Sequence, residues 1–139
     1  CALDYSPLSE KRQRKVLAII TQELLTPKGL RSLSPESPRY EGESVGNVFV
    51  RDKATFNGSV HPWFVGFYVE ANLKLFGDTY IPDGKDFLEN FEEEINTHGV
   101  GLISAIYDGN PPFNPRGCIS NAKNVAEILR AQWLLSDKK

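Results

Sequence analysis

Methionine is absent from this 139-residue sequence, cysteine and histidine occur twice each, and no apolar run approaches the ~20 residues needed to cross a bilayer. Without a methionine the chain carries no initiator, and it is expected to be trimmed or cut from something larger. Cys1 and Cys118 stand at opposite ends and compose neither a disulfide framework nor a metal-ligand spacing. Cys118 reads as a small buried side chain rather than a nucleophile. His61 and His98 are isolated, so no metal centre, and no other cofactor, is expected. The N-terminal stretch CALDYSPLSEKRQRK lacks the apolar core of a signal peptide, and a reducing cytoplasm is the expected compartment.

An excess of one charge is lacking too. The net charge is −2, the pI is near 5.7, and acidic and basic residues are interspersed. No basic stripe offers itself to a phosphate backbone, so nucleic acid is not an expected partner, nor is a membrane. GVG and YEGE do not have phosphate-loop spacing. Ser32, Ser34 and Ser59 have no base placed beside them by any hydrolase pattern.

What is present is a 40% apolar chain, enough for one core, expected to form a single unit over residues 1–139. Helical spacing predicts four helices: about Ser9–Leu25, from Ser59–Pro62 to Phe76–Gly77, Pro82–Thr97, and Ser120–Leu135. The second is apolar almost all round and should be buried. Glu92, Glu93 and Glu94 read as a solvated face of the third, and Lys138 and Lys139 as a solvated tail. The expected class is all-α. Between the first two helices runs Leu25–Trp63, rich in Pro, Gly, charge and aromatics, with NVFV at Asn47–Val50 as a short extended piece. A connection this long is uncommon and is usually functional or disordered. Its apolar content argues for order, and Arg31, Glu41, Arg51, Asp52, Asn57 and His61 give it the look of a binding-site wall.

Six colinear pieces carry a resemblance: SPLSEKRQRKV (6–16), LLTPKGLRSLSP (24–35), YEGE (40–43), RDKATFNGSVHPW (51–63), GLISAIYDGNPPFNPRGC (101–118) and NAKNVAEILRA (121–131). In order and spacing they resemble the C-terminal part of amylo-α-1,6-glucosidases, the glucosidase module of glycogen debranching enzymes. The resemblance implies a segment of an (α/α)6 toroid, an α-glucan or oligosaccharide partner, and a parent that hydrolyses α-1,6-linked branch stubs. It also implies contact with the remainder of the toroid, or self-association through an exposed apolar edge. Several positions depart from the family spelling. HQGTVWPW appears as FNGSVHPW, putting Phe56, Asn57 and His61 where His, Gln and Trp are usual. AQAWSVAE appears as SNAKNVAE, putting Lys123 at a Trp position. ISEIFDG, whose Glu is the family's expected base, appears as ISAIYDG, so that position is Ala105.

Glycoside hydrolysis by inversion needs two carboxyl groups ~6.5–9.5 Å apart. The resemblance places the acid upstream of these residues, and at Ala105 the base is missing. Asp108 is the nearest substitute, with a turn residue as the competing reading. Arg31, Arg51 and Asp52 match family positions at the mouth of the site, either clamping sugar hydroxyls or bridging to each other to hold the loop. Trp63 and Tyr107 either stack on a glucose ring or belong to the core. Two function classes follow: a debranching-related glycoside hydrolase segment, or an inactive α-glucan-binding or structural module.

Overall fold

The computed structural model describes residues 1–2 and 5–136, so the expected tail at Lys138 and Lys139 lies outside the described residues. Among the described residues are five α-helices, a short 3-10 turn and five short strands: α1 (Glu10–Glu23), β1 (Leu25–Thr26), β2 (Gly29–Arg31), α2 (Val48–Asn57), β3 (Val60–His61), α3 (Phe64–Phe76), the 3-10 turn (Gly77–Tyr80), α4 (Ile81–Thr97), β4 (Ile106–Tyr107), β5 (Pro115–Arg116) and α5 (Ala122–Ser136).

The all-α expectation is corrected by the strands. They form one antiparallel sheet in the order β1-β2-β3-β4-β5. Each strand is only two or three residues long, too short to leave an alternating pattern in the sequence. Registers are Leu25 opposite Leu30, Leu30 opposite His61, Val60 opposite Tyr107 and Tyr107 opposite Pro115. The sheet therefore draws three remote stretches together, from residues 25–31, 60–61 and 106–116. Its first turn depends on Gly29, held at φ +125°, a conformation L side chains avoid.

A second correction falls at Asn47–Val50, which is the start of α2 and not an extended piece. The Asn47 side chain accepts from the Val50 N–H at 3.1 Å, an N-cap that outweighs the β-branched valines behind it. Only Ala54 of this helix is buried, and Val48 and Phe49 project into solvent.

The fully apolar helix is buried as expected. α3 hides Val65, Tyr68, Val69, Ala71, Leu73 and Leu75, and burial of each large aliphatic side chain contributes about 1.5–3 kcal/mol. It packs between α1 and α5, and Arg130 of α5 clamps it through Glu70 at 2.7 Å. Glu94 corrects the reading of a wholly solvated acidic face. It is 5% exposed, turned inward on α4, with Oε2 3.4 Å from Lys28 Nζ. Cys118 is exposed rather than buried. Among the described residues no helix is long and apolar enough to cross a membrane.

Candidate functional site

The stretch from Leu25 to Trp63 is held by hydrogen bonds of its backbone N–H and carbonyl groups, within itself and to the β4–β5 loop. The Gly109 N–H donates to the Gly42 carbonyl at 2.7 Å, the Glu41 N–H to the Asn57 carbonyl at 2.8 Å, and the Gly58 N–H to Ser32 Oγ at 2.9 Å. Gly42, Gly58 and Gly109 are all buried at this junction. Beside it, α2 contributes to two cavities, Phe56 to one and Val48, Arg51, Asp52 and Thr55 to the other.

The first cavity, about 600 Å³, has Ile20, Leu24 and Leu30 as its apolar floor. Its walls carry Arg31, Ser32, Phe56, His61, Trp63, Phe64 and Lys123. Trp63 stacks on Phe64 with ring centroids 3.8 Å apart, and Lys123 Nζ stands 4.3 Å over the indole. Arg31 donates from Nε to the Gly109 carbonyl at 2.8 Å and from Nη1 to the Glu23 carbonyl at 3.2 Å. Its orientation is thereby set by backbone, not by a bridge to Asp52.

His61 lines the first cavity. Its Nε2 lies 2.9 Å from the Thr55 carbonyl. A carbonyl only accepts, so Nε2 carries the proton and Nδ1 keeps a lone pair. Burial holds the His61 pKa below 6.5; the Thr55 carbonyl opposes this, and the nearby Lys123 charge adds to it. Below pH 6.5 the unfolded chain therefore takes up a proton that the folded chain resists, and stability falls until the folded pKa is passed. The drop in urea midpoint between about pH 7.5 and about pH 5.5 is expected to be smaller in His61→Gln than in the parent sequence.

The second cavity, about 620 Å³, is more polar. Arg51, Asp52, Thr55, Ser44, Ile106 and Arg116 are among its lining residues. Arg51 and Asp52 thus line a different cavity from Arg31. Glu41 pairs with Lys53 and Asn57 donates to the Lys53 carbonyl at 2.7 Å, and neither faces a cavity described here. Of the residues singled out in the sequence, Arg31, His61 and Trp63 come together; the others do not join them.

At the β4–β5 hairpin the structure favours one of the two readings open for each of Tyr107 and Asp108. Tyr107 is fully buried and offers no ring face to a ligand. Its hydroxyl pKa is raised by burial and by the adjacent Glu94 carboxylate. Asp108, the candidate substitute base, is 2% exposed and wholly engaged. It accepts from Arg116 Nε at 3.0 Å and Nη2 at 2.7 Å, and from the Ser44 N–H at 2.9 Å. It opens the hairpin loop, as the turn reading has it, with its N–H on the Asn114 carbonyl at 2.9 Å, and it faces neither cavity: its carboxylate is a strut joining the hairpin to residue 44. Ala105 is half-buried, its N–H spent on the Cys118 carbonyl at 2.9 Å and its carbonyl on Asn124 Nδ2 at 3.0 Å.

Phe56, Phe64, Lys123 and Ser32 complete the first cavity without having been chosen as site residues. For Phe56 and Lys123 a signal did exist: both stand at departures from the family spelling, as does His61. Chemically, the first cavity offers aromatic surface, cationic donors, a hydroxyl and an imidazole lone pair. None of its lining residues is a carboxylate. The second has one, Asp52, and hydrolysis needs two. Among the described residues no group of His, Cys, Asp or Glu is placed to hold a metal ion.

The family model for amylo-alpha-1,6-glucosidase matches residues 1–130. No curated protein and no solved structure matches the chain.

Proposed function

We propose, because this chain belongs to the amylo-alpha-1,6-glucosidase family, that its first cavity binds an α-glucan end without supplying the base for hydrolysis. The family makes glycogen debranching and glycoside hydrolysis the relevant chemistry and an α-glucan the relevant ligand. One observation carries the reading: the cavity at Trp63 joins an aromatic platform to Arg31, Ser32, His61 and Lys123, and no carboxylate lines it. A pyranose presents a C–H face to aromatic rings and hydroxyls to its edges, which matches that lining.

The loss of turnover rests on the same geometry. General-base assistance contributes ~10²–10⁴-fold in rate. Position 105 has only a methyl group, and the Asp108 carboxylate is committed to Arg116 and Ser44. Sugar binding survives such a loss, because stacking and hydrogen bonds to hydroxyls need no proton transfer.

The test pairs two readouts on the full chain. Calorimetric titration with an α-1,6-branched oligosaccharide is expected to show binding, weakened roughly thirtyfold in Trp63→Ala as a buried aromatic contact worth about 2 kcal/mol is lost. Incubation with a branched limit dextrin is expected to release no glucose. Glucose release would favour the hydrolase reading instead, and unchanged binding in Trp63→Ala would remove the cavity from the account.

A further inference from the structure

Several basic side chains of this protein are paired with carboxylates. Arg116 is paired with Asp108, Arg130 with Glu70 and Glu127, Lys28 with Glu94, and Lys53 with Glu41. The cavity at Trp63 is different. Among the described residues the Arg31 side chain meets only backbone carbonyls, through Nε and Nη1, and its Nη2 is left over. Lys123 meets the indole of Trp63 and no carboxylate among the described residues. The two charges share a cavity of about 600 Å³ with His61 and no acidic residue.

Such a lining accepts a neutral sugar but leaves its two cations without a counter-charge. Carbonyl oxygens and an aromatic face orient a cation but do not neutralise its charge, and the apolar floor of Ile20, Leu24 and Leu30 strengthens any field across the cavity. An anion is the missing complement. We propose that this cavity selects a sugar carrying an anionic substituent, a phosphate or a carboxylate, with the pyranose ring along the aromatic wall of Phe56, Trp63 and Phe64 and the anion held by Lys123 and Arg31. This rests on the carbohydrate reading of the same cavity and adds the charge class of its ligand. Guanidinium and ammonium groups suit both anions, and charge-assisted hydrogen bonds are the strong ones. His61 is consistent with the arrangement: Lys123 helps to keep it neutral while the cavity is empty, and an entering anion would relieve that.

The test is an NMR titration of the full chain with four separate probes: glucose, glucose 6-phosphate, glucuronate and inorganic phosphate. Glucose 6-phosphate is expected to bind at least about tenfold more tightly than glucose, the contribution of one charge-assisted hydrogen bond. Lys123→Gln should bring that ratio towards one, and Lys123→Arg should preserve it. Glucuronate separates the two anion sources: affinity matching glucose 6-phosphate assigns the preference to charge alone, and affinity matching glucose assigns it to phosphate. Inorganic phosphate binding as tightly as glucose 6-phosphate would overturn the proposal, since the sugar would then contribute nothing. Equal binding of glucose and glucose 6-phosphate would also overturn it while leaving the carbohydrate site intact. If none of the sugars binds, the carbohydrate reading itself fails. Lys123 is exposed, so its variants are expected to fold.

Discussion

Replacing Gly58 by alanine is expected to destabilise the fold by about 3 kcal/mol, the upper end of the usual range for an overpacked site. An added Cβ would run into the Glu41 backbone carbonyl and meet the Tyr40 ring at 3.0 Å. Backbone cannot swing aside as a long side chain can, so the junction itself must open. That junction holds the Ser32 hydroxyl on the Gly58 N–H, and Gly109, packed against Gly58, in turn holds Arg31. The variant should therefore weaken sugar binding at Trp63 although residue 58 does not line that cavity. Urea denaturation reads the stability change directly. A shift below about 0.5 kcal/mol, the range of ordinary surface substitutions, would mean that the three glycines are not packed as described.

The second large effect is expected at Asp108. Its side chain is 3% exposed and that of Arg116 33%. Removing one partner of a buried pair leaves the other charge without compensation and costs about 3–5 kcal/mol, and the partial exposure of Arg116 moves the expectation for Asp108→Ala to about 3 kcal/mol. The buried Ser44 N–H loses its acceptor in the same step. Asp108→Asn keeps that acceptor and gives up the charge, so an intermediate loss is expected. Denaturant midpoints measure both. Glucose release by the unsubstituted protein that a stably folded Asp108→Ala variant loses would reverse the assignment and make Asp108 a base rather than a strut.

The parts that were legible in the sequence were the long periodic ones. The four expected helices exist with ends shifted by a few residues, because a stripe repeated over three or more turns leaves a strong pattern and Pro27 and Gly77 mark two of the ends. The sheet was illegible for the opposite reason. Pairs such as Val60 with Tyr107 are created by contacts almost fifty residues apart, and a two-residue strand has no period. α2 was hidden by composition, since Val48 and Val50 suggest extension while the Asn47 side chain and its helical capping prevail.

The same division holds within the site. Arg31, His61 and Trp63 were recognisable by type and position, and they converge. Asp108 and Tyr107 belong to a matched motif, yet their burial depends on Arg116, Ser44 and Glu94, which no local pattern connects. Lys123 was visible as a departure from family spelling, but only the approach of α5 to α3 places its ammonium on Trp63. The departures at Phe56, His61 and Lys123 gain meaning together, as three walls of one cavity.

The sugar-binding cavity is tested most directly by mapping where an α-1,6-branched oligosaccharide touches the protein, through amide and indole NMR shifts of the full chain. The expected changes fall on Trp63, His61, Arg31 and Lys123, with the Trp63 indole among the largest. Changes confined to Arg51, Asp52 and Arg116 in the second cavity, or no changes at saturating oligosaccharide, would contradict it.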